Sequence, residues 1–135
     1  EAFGLIQCLP STLRRLGYSL GQVRGKFGEW QLEHLVYPYL KPYIGKMNSA
    51  YDVYLAIFHP AALGKGDGYV IAYEREKAYK YNKVLDTVYG DRDGKLEVLD
   101  VKFFFKKSVQ NAVKLHKKLP EYKDKIPFGY ELSLY

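Results

Sequence analysis

The apolar residues between Leu99 and Leu119 constrain the fold more than any other stretch of this chain. Val101, Phe104, Phe105, Val109, Val113 and Leu115 or Leu119 recur every three or four positions, which places them along one face of a helix. Pro120 closes that helix, because it has no N–H to continue the ladder. The apolar face must be held by packing. Cys8 is the only cysteine, so no intrachain disulfide can form. A length of 135 residues, 47% hydrophobic and 27% charged, suits one domain with one core and is far from a disordered composition.

The remaining elements are shorter. Ser11 or Thr12 is placed to cap a helix through Leu13 and Leu16 that stops at Gly17. Ser19 starts a second short turn through Leu20 and Val23, and Gly25 and Gly28 bracket Phe27. Trp30, Leu32, Leu35, Val36, Tyr39 and Leu40 have helical spacing, but Pro38 lies among them and predicts a kink or an early end near Val36–Tyr37. Ser49 caps a helix with Tyr51, Tyr54, Leu55 and Phe58 on its inner side, ended by His59-Pro60. The glycines of residues 61–68 predict a loop, residues 69–86 one or two short helical pieces, and residues 87–96 another loop. The aromatic and charged tail, 121–135, is expected to pack back as an extended segment.

A net charge of +6 favours an anionic partner such as an acidic cell wall, a nucleic acid or a membrane surface, and it also serves solubility. The lysines of helix 102–118 spread around its polar face and no nucleic-acid motif accompanies them, which disfavours nucleic acid. No apolar run is long enough to span a bilayer, and no signal peptide is visible. A start at Glu1 rather than Met suggests a processed product or a trimmed chain. The chain has 14 Tyr, 7 Phe and 1 Trp, and tyrosine combines a flat apolar face with a hydroxyl, which suits sugar rings. His34, His59 and His116 are too far apart to suggest a zinc site. Neither a phosphate loop nor a recognisable Ser-His-Asp arrangement is present.

Residues 86–100 resemble a calcium-binding loop. With Gly94 at the sixth position, Asp91 takes the third, Asp93 the fifth, the Lys95 carbonyl the seventh, Leu96 the apolar eighth, Glu97 the ninth and Asp100 the twelfth. The first position falls on Tyr89, and Asp86 lies three residues too early, as if the loop carried an insertion. Asp86, Asp91, Asp93, Lys95 and Asp100 are therefore candidate ligands for Ca2+. The other reading is a tight Asp-Gly turn before the last helix, with Asp100 as its N-cap.

Four segments carry a likeness to a known family. Gly4-Leu5-Ile6-Gln7-Cys8-Leu9-Pro10-Ser11-Thr12 comes first, and Gln31, Leu32, Val36 and Tyr39 follow on a helix. Next is Asp52-Val53-Tyr54-Leu55-Ala56-Ile57-Phe58-His59-Pro60-Ala61-Ala62-Leu63-Gly64-Lys65. Ala78-Tyr79, Asn82, Leu85-Asp86 and Asp93-Gly94-Lys95-Leu96 complete the set. In order and approximate spacing, residues 4 to about 105 resemble the lysozyme-like (soluble lytic) transglycosylases of phage type, which cut peptidoglycan.

The resemblance implies a mainly α fold, an α+β lysozyme-like domain with a minimal N-terminal strand element. It implies a lysozyme-like domain over 1–105 lacking its N-terminal segment, with 106–135 as a helix continuation and aromatic tail. In the family a glutamate upstream of the first box protonates the glycosidic oxygen. Only Glu1, Ala2 and Phe3 precede the box here, so Glu1 is the candidate acid in this chain, and the acid otherwise lies upstream or on another chain. The implied substrate-binding residues are Gln7, Ser11, Thr12, Tyr54, Phe58 and His59. Many relatives have Tyr-Asn where this chain has Phe58-His59, and Phe where it has Cys8.

The expected function is peptidoglycan cleavage by the parent protein, this chain alone being inactive. The alternative is a catalytically inactive glycan-binding or structural virion protein. Glycan strands, an N-terminal fragment or other virion proteins are the expected partners, and the virion or bacterial cell envelope the expected location.

Overall fold

The computed structural model describes residues 2–119, so Glu1 and the tail from Pro120 to Tyr135 lie outside the described residues. The chain divides into two compact units, Glu1–Gly45 and Lys46–Tyr135. The described residues are mostly helical, with one small two-stranded sheet.

The first unit begins with a tight reversal. Phe3 and Cys8 exchange backbone hydrogen bonds of 2.9 and 2.7 Å, and the Gln7 N–H donates to the Gly4 carbonyl at 3.1 Å. Gly4 and Gln7 both have left-handed φ, 77° and 50°. The expected N-terminal strand element is thus an isolated bridge. Helix α1 (Pro10–Arg15) follows with Leu9 as its N-cap. Neither Ser11 nor Thr12 caps it: Pro10 starts the helix, because its fixed φ suits the first turn and its missing N–H costs nothing there. In α2 (Leu20–Val23) the Gln22 side chain reaches back to the Ser19 N–H at 2.8 Å and receives the Ser19 hydroxyl at 2.9 Å.

Helix α3 (Glu29–Gln31) continues through a wide π turn (Leu32–Val36) into α4 (Tyr37–Leu40) and a 3-10 turn (Lys41–Tyr43). Pro38 neither ends this helix nor simply kinks it. The Tyr37 N–H donates to Leu32 O, five residues back. The widened turn relieves the clash that the Pro38 ring would make with the His34 carbonyl, and no N–H is missed at Pro38. Cys8, Leu13, Val23 and Leu35 form the buried centre of this unit, with Phe3, Ile6, Leu16, Tyr18, Leu20 and Trp30 packed around it.

The second unit begins with α5 (Ala50–Phe58), whose Ser49 hydroxyl accepts from the Asp52 N–H at 3.1 Å, the cap expected from sequence. A 3-10 turn (Pro60–Ala62) precedes strand β1 (Val70–Tyr73). Then come α6 (Lys77–Asn82), a second π turn (Leu85–Tyr89), β2 (Lys95–Glu97) and α7 (Val98–His116). The two strands are antiparallel, with Ala72 opposite Leu96 and Tyr73 opposite Lys95, and an irregularity between Val70 and Ala72.

These strands replace part of what was expected as helix in 69–86 and loop in 87–96. Val70 and Ile71 favour a pleated backbone. Pairing also puts Ala72 and Leu96 into the core while Tyr73 stays exposed. The Asp67 and Tyr69 carbonyls accept from the Leu99 and Val98 N–H groups at 3.0 and 3.1 Å, satisfying donors in the first turn of α7.

Helix α7 is the long helix expected from periodicity, and it runs unbroken past residue 105. Its N-cap is Glu97, and Asp100 sits one turn inside, where its carboxylate accepts the Glu97 N–H at 2.8 Å. The helix packs mainly through its first half, with Val113 also buried near its end: Val98 and Val101 are buried with Tyr51, Leu55, Ala62, Ala72, Tyr79, Leu85 and Leu96. Phe104 and Phe105 pack against that cluster, whereas Leu115 is exposed. No described helix is long and apolar enough to cross a membrane.

Gln31 links the opening turn to the helix behind it. Its carboxamide oxygen accepts the Leu5 N–H at 2.9 Å and its amide donates to the Lys26 carbonyl at 2.6 Å. A Cβ on Gly4 would lie 2.6 Å from that oxygen. Gly4→Ala is expected to cost about 1–3 kcal/mol, combining the left-handed penalty with the displaced bond. Gln31→Leu should cost a similar amount, and the double variant less than the sum of the two. Trp30, the only tryptophan, gives a fluorescence signal for urea unfolding of this unit; strictly additive losses would show that Gly4 and Gln31 are not coupled.

Candidate functional site

Gln7, Ser11 and Thr12 all lie in the first unit. Gln7 is exposed on the opening turn and donates its amide to the Gly4 carbonyl at 2.9 Å. Ser11 is exposed and Thr12 half-buried in the first turn of α1. Cys8 is buried, and burial raises its thiol pKa against the opposing effect of Arg15. It is a packing residue rather than a nucleophile. Periodicity alone did not single out a neighbouring aromatic group. His34 stacks on Trp30 with ring centres 4.6 Å apart, Tyr18 meets Trp30 edge-on at 5.3 Å, and the Tyr18 hydroxyl lies 3.2 Å from His34 Nδ1. The i, i+4 spacing of Trp30 and His34 was the available signal.

Tyr54, Phe58 and His59 belong to the second unit. The Tyr54 and Phe58 rings are parallel, with centres 6.1 Å apart, and Tyr54 also packs against Phe104 and Phe105. Both rings pack against the core of this unit, and burial raises the Tyr54 pKa. His59 follows α5, half-buried, its backbone N–H on the Leu55 carbonyl at 2.8 Å; burial lowers its imidazole pKa.

The most organised polar cluster is the acidic loop. One carboxylate oxygen each from Asp86, Asp91 and Asp93 lie within 4.8 Å of one another. Asp86 is 1% exposed. Its Oδ2 accepts the Tyr79 hydroxyl at 2.6 Å and the Gly94 N–H at 3.1 Å, whereas its buried Oδ1 has no hydrogen-bond partner among the described residues. The Asp86 bond, then burial, pushes the Tyr79 pKa up to about 12.

Asp91 and Asp93 are exposed and shape the turn: Asp91 Oδ1 accepts the Asp93 N–H at 3.2 Å, and Asp93 Oδ1 the Lys95 N–H at 2.9 Å. The Lys95 ammonium pairs with Asp93, which holds the Asp93 pKa down and raises that of Lys95. Gly90 is required by close approach: a Cβ there would lie 2.2 Å from Asp100 Oδ1 and 2.9 Å from Asp86 Cα. Burial is the main cause raising the Asp100 pKa, with Asp86, Asp91 and Glu97 adding to it and the Glu97 N–H bond opposing. Hard oxygens in this arrangement suit a hard divalent cation.

No family model, curated protein or solved structure matches the chain.

Two buried tyrosine hydroxyls make opposite expectations. The Tyr51 hydroxyl is buried without a partner among the described residues, and burial, then Asp67 and Asp52, push its pKa up to about 12. Tyr51→Phe removes an unsatisfied polar group and is expected to be neutral or stabilising by up to about 1 kcal/mol. Tyr79→Phe takes a donor from the buried Asp86 carboxylate and should lower the melting midpoint clearly. Paired thermal melts check this, and a larger loss for Tyr51→Phe would show that its hydroxyl is satisfied.

His59 sets a pH dependence. Its folded pKa lies below the ordinary value of about 6.5, so the unfolded chain binds the extra proton first. The His59 contribution to stability is therefore complete above about pH 6.5, falls as pH drops through the window below it, and levels off beneath the lowered folded pKa. His59→Gln should flatten that part of the stability curve in urea melts between about pH 4.5 and 7.5; an unchanged slope would exclude His59 as its source.

Proposed function

We propose that this chain is a lysozyme-like domain that engages the glycan strands of peptidoglycan, as part of a peptidoglycan-cleaving protein of phage type that acts at the virion or the bacterial envelope. The observation that carries this reading is how the residues of the motif segments are used. Gly4 of the first segment and Gln31 of the second meet at the opening turn. Tyr79, Asp86 and Gly94 of the last segment meet at one carboxylate. Residues that stand out in a pattern and then recur as mutual partners are expected of a shared scaffold rather than of chance likeness.

On that scaffold, Gln7 offers a carboxamide that both donates and accepts, and Ser11 and Thr12 offer hydroxyls. Such groups match sugar hydroxyls and acetamido groups. The Tyr18–Trp30–His34 cluster adds aromatic surface of the kind on which sugars stack. A charge of +6 complements an acidic wall polymer.

The second reading is a glycan-binding or virion protein that does not cut. Among the described residues of the first unit the carboxylates are Glu29 and Glu33, and both are exposed. A glycosidase acid needs a site that keeps it protonated, usually by burial.

Co-sedimentation with purified peptidoglycan sacculi, followed by analysis of released fragments, tests the proposal. The chain is expected to sediment with sacculi. Gln7→Gly, which relieves the left-handed backbone while removing the amide, should weaken retention about fivefold or more, the loss of roughly one hydrogen bond. Released muropeptides would favour cutting, and retention without release would favour binding alone. Absence of retention would overturn both.

A further inference from the structure

We infer that the loop from Asp86 to Asp100 is a calcium site whose ion is held by the carboxylates of Asp86, Asp91 and Asp93. The inference does not depend on the glycan reading. It starts from Asp86. A carboxylate almost wholly removed from water needs its charge and both oxygens satisfied. Tyr79 and Gly94 serve only Oδ2, and Oδ1 is buried with no partner among the described residues. Among the described residues no lysine, arginine or histidine pairs with Asp86; Lys95 pairs with Asp93 instead. A cation among the three carboxylates supplies what Asp86 lacks.

The geometry fits calcium in particular. The three oxygens lie within 4.8 Å of one another, inside the span of about 5 Å between opposite ligands of an ion coordinated at about 2.3–2.6 Å. Magnesium draws its ligands to about 2.0–2.1 Å in a rigid octahedron and keeps several waters, so a loop of this breadth serves it less well.

The sequence defect is repaired in space. Asp86 stands three residues too early for the first loop position. The π turn Leu85–Tyr89 and Gly90 absorb the extra residues, and Asp86 accepts the N–H of Gly94, the glycine at the sixth position. Gly90 lets the Asp100 carboxylate approach the Asp86 backbone, so the first and last acidic positions of the loop flank the same glycine. Strand β2 then carries the Lys95 carbonyl at the seventh position and the buried Leu96 at the eighth. Two features weaken the site: the Lys95 ammonium competes for Asp93, and Asp100 is a shorter twelfth residue than the bidentate glutamate of strong sites. The affinity expected is therefore that of a weak module, with a dissociation constant of about 10⁻⁴–10⁻³ M.

The test is calorimetric titration of the calcium-stripped full chain with calcium chloride, together with thermal melts with and without about 10 mM calcium. Saturating binding and a melting midpoint raised by about 3–8 °C are expected. Asp91 is exposed, so Asp91→Asn should fold normally by circular dichroism while weakening binding about tenfold or more, because it removes one of the three charged ligands. Lys95→Gln keeps the backbone carbonyl, removes the competing ammonium and should tighten binding. The inference is overturned by the absence of heat and of a midpoint shift in the wild type, by an Asp91→Asn variant that binds as well as wild type, or by an equal response to magnesium.

Discussion

The Asp86 carboxylate is the constraint around which the second unit is organised. It is buried, so it must find donors within the chain, and those it finds lie on different elements: the Tyr79 hydroxyl on α6 and the Gly94 N–H just before β2. Those two bonds draw a helix, a turn and a strand to one point. Gly90 allows Asp100 on α7 to approach the same place, and Asp100 in turn holds the Glu97 N–H at the head of that helix. Apolar packing of Tyr79, Leu85, Leu96, Val98 and Val101 surrounds the polar knot and keeps water from competing with it. Among the described residues one oxygen of Asp86 is left without a donor, and that oxygen is what the proposed cation would satisfy.

The first unit uses the same device with an uncharged group. Gln31 is buried, and its carboxamide bridges the Leu5 N–H of the opening turn and the Lys26 carbonyl. The turn itself has too few residues to bury much surface, so the brace and the left-handed Gly4 give it a defined shape. Gln7 is thereby presented at a fixed place on the surface. In the proposed glycan-binding role that rigidity matters, because a polar group held in position loses less entropy on meeting a sugar than one on a loose loop.

The helices were the legible part of the fold, and α7 the most legible, since nineteen residues carry enough apolar repeats to override local ambiguity. The Ser49 cap was legible for a local reason too: its hydroxyl acts three residues away. Strands β1 and β2 were not. Each is three or four residues long, too short for an alternation to stand out, and each exists because the other is opposite it. At α1 the capping residues misled, because Pro10 outcompeted Ser11 and Thr12 for the helix start. Pro38 signalled an irregularity correctly, but only the surrounding helix decided that it would be a wide turn rather than a break. In the site, the residue types of the acidic loop were visible and their spacing looked defective. The Trp30–His34–Tyr18 cluster joins residues sixteen positions apart, and no local pattern links Tyr18 to it.

By itself the sequence determined what depends on short range: helical periodicity, the 86–100 acidic pattern with its turn glycine, and the reliance on packing with a lone cysteine. The tertiary structure decided what depends on groups distant along the chain. It paired β1 with β2, made Gln31 the partner of the opening turn, put Tyr54 and Phe58 against a core, and brought the Asp86 carboxylate, three residues early in the sequence pattern, beside Asp91 and Asp93. The physical reason is the same in each case. A buried polar group or a short strand gains its stability only from a partner, and which partner comes within hydrogen-bond reach is set by the folding of the intervening chain rather than by either residue alone.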